Sequence, residues 1–146
     1  MYDQFNRKIN YLRISVTDRC NLRCVYCMPA EGIRLLSHSD ILSYDEILEV
    51  AKTAVEMGVD KVRITGGEPL VRKNVVYLIE KLADISGIKD LGMTTNGVLL
   101  DKYAGSLKKA GLHRVNVSLD TLDEKKYQEI TRIGNVNEVL QGIDAA

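Results

Sequence analysis

Apolar and polar residues alternate in four short stretches of this chain, and between those stretches the apolar positions recur every three or four residues. The alternating stretches, YLRISVT (11–17), DKVRIT (60–65), DLGMTT (90–95) and RVNVSL (114–119), predict β-strands. The helical spacing predicts helices over 44–57, 74–85 and 101–110. A fourth helical region starts near Asp123, breaks at RIGNVN and resumes from Val136. In the first helix Ile47, Leu48, Ala51, Ala54 and Val55 share one stripe. Ser43 and Glu46 form a capping-box pair before it, and Gly58 closes it.

Strands separated by helices imply right-handed crossovers and a parallel sheet. Two α/β architectures satisfy that: an open doubly wound sheet, or part of a (β/α) barrel. Four βα units are half of a barrel that typically takes about 250 residues. The expectation is a partial (β/α) TIM-like barrel, with residues 1–146 as the N-terminal half of something longer. A complete small α/β domain is the alternative.

Buried parallel strands are usually apolar on both faces, because helices cover both. Here only one face is apolar: Leu12, Ile14 and Val16, then Val62 and Ile64, Leu91 and Met93, Val115 and Val117. The other face carries Arg13, Ser15 and Thr17, Arg63 and Thr65, Gly92 and Thr94, Asn116 and Ser118. Two inward arginines without an inward carboxylate in the strand bodies point to a wet, anion-binding interior, since burying unpaired charge is costly.

Composition narrows the class. Hydrophobic residues make up 45% and charged residues 27% of 146, the balance of a globular domain. Lys+Arg and Asp+Glu are both 20, so bulk charge suggests neither a nucleic-acid nor an acidic-membrane partner. The start, MYDQFNRKIN, lacks the apolar run of a secretory signal, and no stretch reaches the roughly 18 apolar residues of a membrane span. The three cysteines, Cys20, Cys24 and Cys27, fall within one segment, TDRCNLRCVYCMPA. An odd count in one cluster argues against a disulfide framework and for a reducing, cytoplasmic setting.

Those cysteines follow the first strand with the spacing C-x3-C-x2-C. GGEP (Gly66–Pro69) follows the second strand, TTNG (Thr94–Gly97) ends the third, and SLD (Ser118–Asp120) ends the fourth. All four motifs therefore fall on the rim where barrels carry their chemistry. Iron–sulfur clusters usually take four cysteine thiolates and structural zinc takes four ligands. His38 and His113 are poorly placed to be the fourth. Three thiolates on a four-iron cluster would leave one iron open; zinc with a distant ligand, or unconnected thiols, are the alternatives. Gly66 and Gly67 would let a ligand approach the backbone closely, and Glu68 would offer a carboxylate to a ligand ammonium.

These motifs resemble the radical S-adenosylmethionine (SAM) superfamily, whose signature is Cys20-Asn21-Leu22-Arg23-Cys24-Val25-Tyr26-Cys27 followed by GGEP. LRISVTDRCNLRCVYCMPAEG, VRITGGEPLVRK, TTNG and RVNVSLDTLD are similar, more narrowly, to the branch that converts GTP in molybdenum cofactor biosynthesis. The resemblance implies a [4Fe-4S] cluster on Cys20, Cys24 and Cys27 with SAM on its open iron. Reductive cleavage of SAM would give a 5′-deoxyadenosyl radical that rearranges GTP to (8S)-3′,8-cyclo-7,8-dihydroguanosine 5′-triphosphate, a lyase reaction. No protein side chain is implied as acid or base. Tyr26, Gly66, Gly67, Glu68 and Ser118 would meet SAM; Arg13, Arg63 and Thr94 would meet GTP. A flavodoxin or ferredoxin would supply electrons, cyclic pyranopterin monophosphate synthase would act downstream, and a homodimer is allowed. The family also carries a second [4Fe-4S] cluster, whose cysteines would lie in a longer parent, because none follows Cys27 here. Two other readings are a radical SAM enzyme that modifies peptides or haem, and a non-catalytic metal-binding module.

Overall fold

The computed structural model describes residues 2–146, with the side chain of His38 outside the description. Four strands form one parallel sheet: β1 (Tyr11–Ser15), β2 (Lys61–Thr65), β3 (Asp90–Thr95) and β4 (Arg114–Val117). They lie side by side in the order β1-β2-β3-β4. Each crossover adds its strand next to the previous one, with no reversal of direction across the sheet. A doubly wound sheet needs such a reversal. The structure is a partial (β/α) barrel.

The helices are α1 (Tyr44–Glu56), α2 (Val75–Ala83), α3 (Leu100–Lys109), α4 (Glu124–Thr131) and α5 (Val136–Asp144). Short 3-10 turns at His38–Asp40 and Pro69–Val71 precede α1 and α2. The helix expected near Asp123 is two helices, because Arg132 turns to φ 66° and stops α4. The capping box of α1 is present, with Ser43 Oγ accepting from Glu46 N and Glu46 Oε2 accepting from Ser43 N at 2.7 Å.

One core joins the helices to the apolar strand face. Ile64, Leu78, Ile79, Leu82, Leu91 and Met93 are fully buried in it, alongside Ile47, Ala51 and Leu107. Each such side chain contributes roughly 1.5–3 kcal/mol on burial. Packing therefore fixes the helices more than propensity does. A second, smaller core of Tyr127, Val136 and Val139 sits where α4 and α5 meet the end of β4.

The polar strand face carries no helix, as its pattern predicted, and its residues are exposed or half-buried apart from Gly92 and Thr17. Register brings Arg13, Arg63, Gly92 and Arg114 into one row across the sheet. The expectation of two arginines and no carboxylate is corrected here. Arg114 is a third arginine on this face, its stem lying over Gly92, and it is ion-paired with Asp90. Both residues stand at strand starts, where the alternation is shortest and least legible. Among the described residues no helix is long and apolar enough to cross a membrane.

Candidate cysteine and ligand site

The loop after β1 carries the three cysteines, and long-range contacts shape it. Arg23 Nη1 donates to the carbonyls of Cys20 and Leu22, both at 2.9 Å. Arg132 Nη1, at the end of α4, donates to the carbonyls of Arg23 at 2.6 Å and Met28 at 2.9 Å. Backbone bonds from Arg23 N to Thr131 O and from Val25 N to Ile130 O complete the seam. Leu22 is buried beneath. A turn closes from Cys24 O to Cys27 N at 2.9 Å. The cysteine loop is thus built on α4, an element roughly a hundred residues away in sequence.

Cys20 and Cys24 are half-buried and Cys27 is exposed. Burial pushes the Cys20 thiol up, against a hydrogen bond from Leu22 N and one from the Asn96 amide. Burial likewise raises Cys24, against a hydrogen bond from Tyr26. Thiols so placed need a cation to become thiolates. Among the described residues, no group of three or more His, Cys, Asp or Glu side chains converges closely enough to hold a metal ion. The three thiols share a loop and a rim without meeting at one point. As a donor set they still suit a cluster: Cys20 Sγ accepts from Leu22 N at 3.4 Å and from Asn96 Nδ2 at 3.8 Å. Neither expected histidine contributes. His113 stands at the opposite end of the strands, its Nδ1 accepting from Leu91 N at 3.0 Å, and the His38 side chain lies outside the description.

GGEP packs against this loop. Gly67 N donates to Thr17 O at 2.7 Å and Glu68 N to Arg19 O at 2.8 Å. A Cβ at Gly66, where φ is 155°, would lie 2.6 Å from Thr17 O, and one at Gly67 would collide with the Arg19 carbonyl. The close approach that requires the glycines is therefore made by the chain's own backbone.

The expectation for Glu68 is also corrected. Its carboxylate is not offered to a ligand: it is fully buried and accepts from Leu70 N at 3.0 Å, Thr95 Oγ1 at 2.8 Å and Asn96 N at 2.7 Å. Burial pushes its carboxyl up, and these three donors oppose the shift. Glu68 joins the ends of β2 and β3.

Tyr26 and Ser118 face the same rim. Tyr26 is exposed, and its hydroxyl donates to Asp120 Oδ2 at 2.8 Å, linking the first and fourth loops. That bond, with burial adding to it, raises the phenol strongly. Ser118 is exposed beside it, its N–H bonded to Thr95 O. Thr94, Arg63 and Arg13 lie deeper, on the inner strand face. Arg63 sits over the Tyr11 ring at 5.8 Å with its Nε buried and unpartnered. Among the described residues, neither Arg13 nor Arg63 has an ion pair. Sequence reasoning missed Arg23, Asn96 and Arg132, whose partners are distant and leave no periodic trace.

The family profile described as "Radical SAM superfamily" matches residues 14–146. Among curated proteins, the GTP 3′,8-cyclase of Thermodesulfovibrio yellowstonii is 63% identical over all of this chain and 46% of its own length. That of Geobacter sulfurreducens is 55% identical, again over all of this chain and 45% of its own length. The chain thus spans less than half the length of these relatives. Among solved structures, SuiB of Streptococcus suis, bound to its precursor peptide SuiA, superposes with a TM-score of 0.74 at 22% identity. The match covers 91% of this chain and 29% of SuiB. The enzyme anSMEcpe with bound AdoMet gives a TM-score of 0.66 at 18% identity, over 92% and 38% respectively.

Proposed function

The chain belongs to the radical SAM superfamily, and on that premise we propose that it forms the cluster- and SAM-binding half of a GTP 3′,8-cyclase barrel. Cys20, Cys24 and Cys27 would hold a [4Fe-4S] cluster and leave one iron for SAM. When bound, that pair supplies the one-electron cleavage of SAM that starts the conversion of GTP towards the molybdenum cofactor. The chain's residues bind, orient and shield. Tyr26, Gly66, Gly67 and Ser118 would line the SAM side, with Glu68 bracing the GGEP loop from behind.

Arg13 and Arg63 would take the triphosphate through charge-assisted forks, and Thr94 would add a hydroxyl nearer the rim. The observation that carries this reading is the joint arrangement of three thiols above an inner face holding two arginines without ion pairs. Such a face suits a polyanionic nucleotide better than a peptide. A flavodoxin- or ferredoxin-type reductant and a downstream pyranopterin synthase follow from the same reading, with the second cluster and remaining contacts in a longer parent.

The test is anaerobic reconstitution with iron and sulfide, then EPR of the reduced chain with and without SAM. The expected result is a four-iron signal that shifts when SAM is added. Zinc binding, or a cluster indifferent to SAM, would overturn the assignment of the three cysteines.

A further inference from the structure

The side chain of Asn96, in the loop after β3, is oriented at both of its ends. Its Oδ1 accepts from Val98 N at 3.1 Å, so the amide turns its NH2 the other way. There Nδ2 donates to Asn21 Oδ1 at 2.8 Å and to Cys20 Sγ at 3.8 Å. Each of its two hydrogens therefore has a partner. The backbone is held as firmly, with Asn96 N on the buried Glu68 carboxylate and Gly97 N on Thr95 Oγ1. Glu68, Asn96 and Cys20 form one continuous chain of contacts from the GGEP loop to the first thiol.

Resting on the cluster reading above, we propose that Asn96 is a positioning residue for Cys20: its amide donates the N–H···S bond that orients this sulfur and sets the reduction potential of the cluster it holds. A hydrogen bond to a ligand thiolate stabilises negative charge on sulfur and so favours the reduced cluster. The donor here is rigid, because the groups that fix it, Glu68 and Val98 N, belong to the fold. Asn96 makes no step of chemistry itself. It acts through Cys20.

The reconstituted chain is compared with Asn96→Leu, which lacks any donor, Asn96→Asp, which keeps the acceptor for Val98 N, and Asn21→Ala, which leaves the donor in place. Iron per chain, midpoint potential and the coupling of exchangeable deuterons to the reduced cluster (by ENDOR) are measured. The expected result is equal iron, a more negative potential for both Asn96 variants, loss of one deuteron coupling in both, and no such change in Asn21→Ala. A Leu variant with the unmodified potential and coupling would overturn the proposal. Should the Leu variant lose its iron, Asn96→Asp decides by the coupling, which its added charge cannot imitate; a retained coupling overturns the proposal. An unmodified chain that takes up no cluster overturns the underlying reading instead, and this one with it.

Discussion

Glu68 shows how the role of a side chain depends on what surrounds it. In the sequence it is a carboxylate beside two glycines on a rim, which suggests a ligand contact. In the fold it is a buried acceptor for three donors. Glu68→Gln is expected to destabilise the chain by about 1–3 kcal/mol, because one face of the new amide sets a donor against a donor. Urea unfolding at neutral pH measures this, and an unchanged midpoint and slope would show that the three bonds are dispensable. The glycine pair teaches the same lesson. Gly66 and Gly67 announce that something comes close to the backbone, but their lack of side chains cannot tell whether it is a ligand or the Thr17–Arg19 segment. Asn96, Arg23 and Arg132 left no signal, because a single polar residue is recognisable only once its distant partner is known.

Secondary elements were the most legible level. Period-2 alternation located all four strands and the 3.6-residue period located the helices, with ends shifted by one or two residues where pairing stops before the pattern does. Helix α1 carries a pH dependence of its own. The Ser43 backbone N–H, more than its side chain, holds the Glu46 carboxyl below its ordinary range. A carboxyl lowered in the folded state stabilises fully above its unfolded pKa, and that contribution is lost as pH falls through the lower, folded value. Amide exchange in the first turn of α1 is thus expected to accelerate as pH falls below about 4.5, after correction for intrinsic rates. Glu46→Gln, which keeps the acceptor, abolishes the effect. The sheet gives a second prediction. Arg13→Ala and Arg63→Ala each weaken GTP binding by about tenfold or more, the value of a charge-assisted bond, while SAM binding is unchanged. Calorimetry on the longer parent distinguishes this from a purely structural role, in which GTP affinity would stay the same.

At the scale of the whole molecule, strand order decided between two architectures that sequence left open. Sequential parallel pairing with helices on one face makes a partial barrel, and it puts every strand's carboxyl end on one rim. The same arrangement makes the cysteine loop depend on α4. Arg132→Ala removes two of its carbonyl contacts and is expected to raise amide exchange at Arg23 and Val25 several-fold, leaving β2 and β3 unchanged. Uniform protection across the chain would show that the backbone seam alone holds the loop.

That dependence sets an order of events during synthesis. The thiol-bearing loop is made early, but the guanidinium that clamps Met28 comes 104 residues later. At about 5–20 residues per second the loop waits roughly 5–20 s without its clamp. Over that interval β1, β2 and β3 can pair in the order in which they emerge, each onto a neighbour already made. The pocket is therefore finished last although its cysteines are translated first. Iron delivered before α4 has docked meets three mobile thiols, and iron delivered afterwards meets a loop already held by its braces.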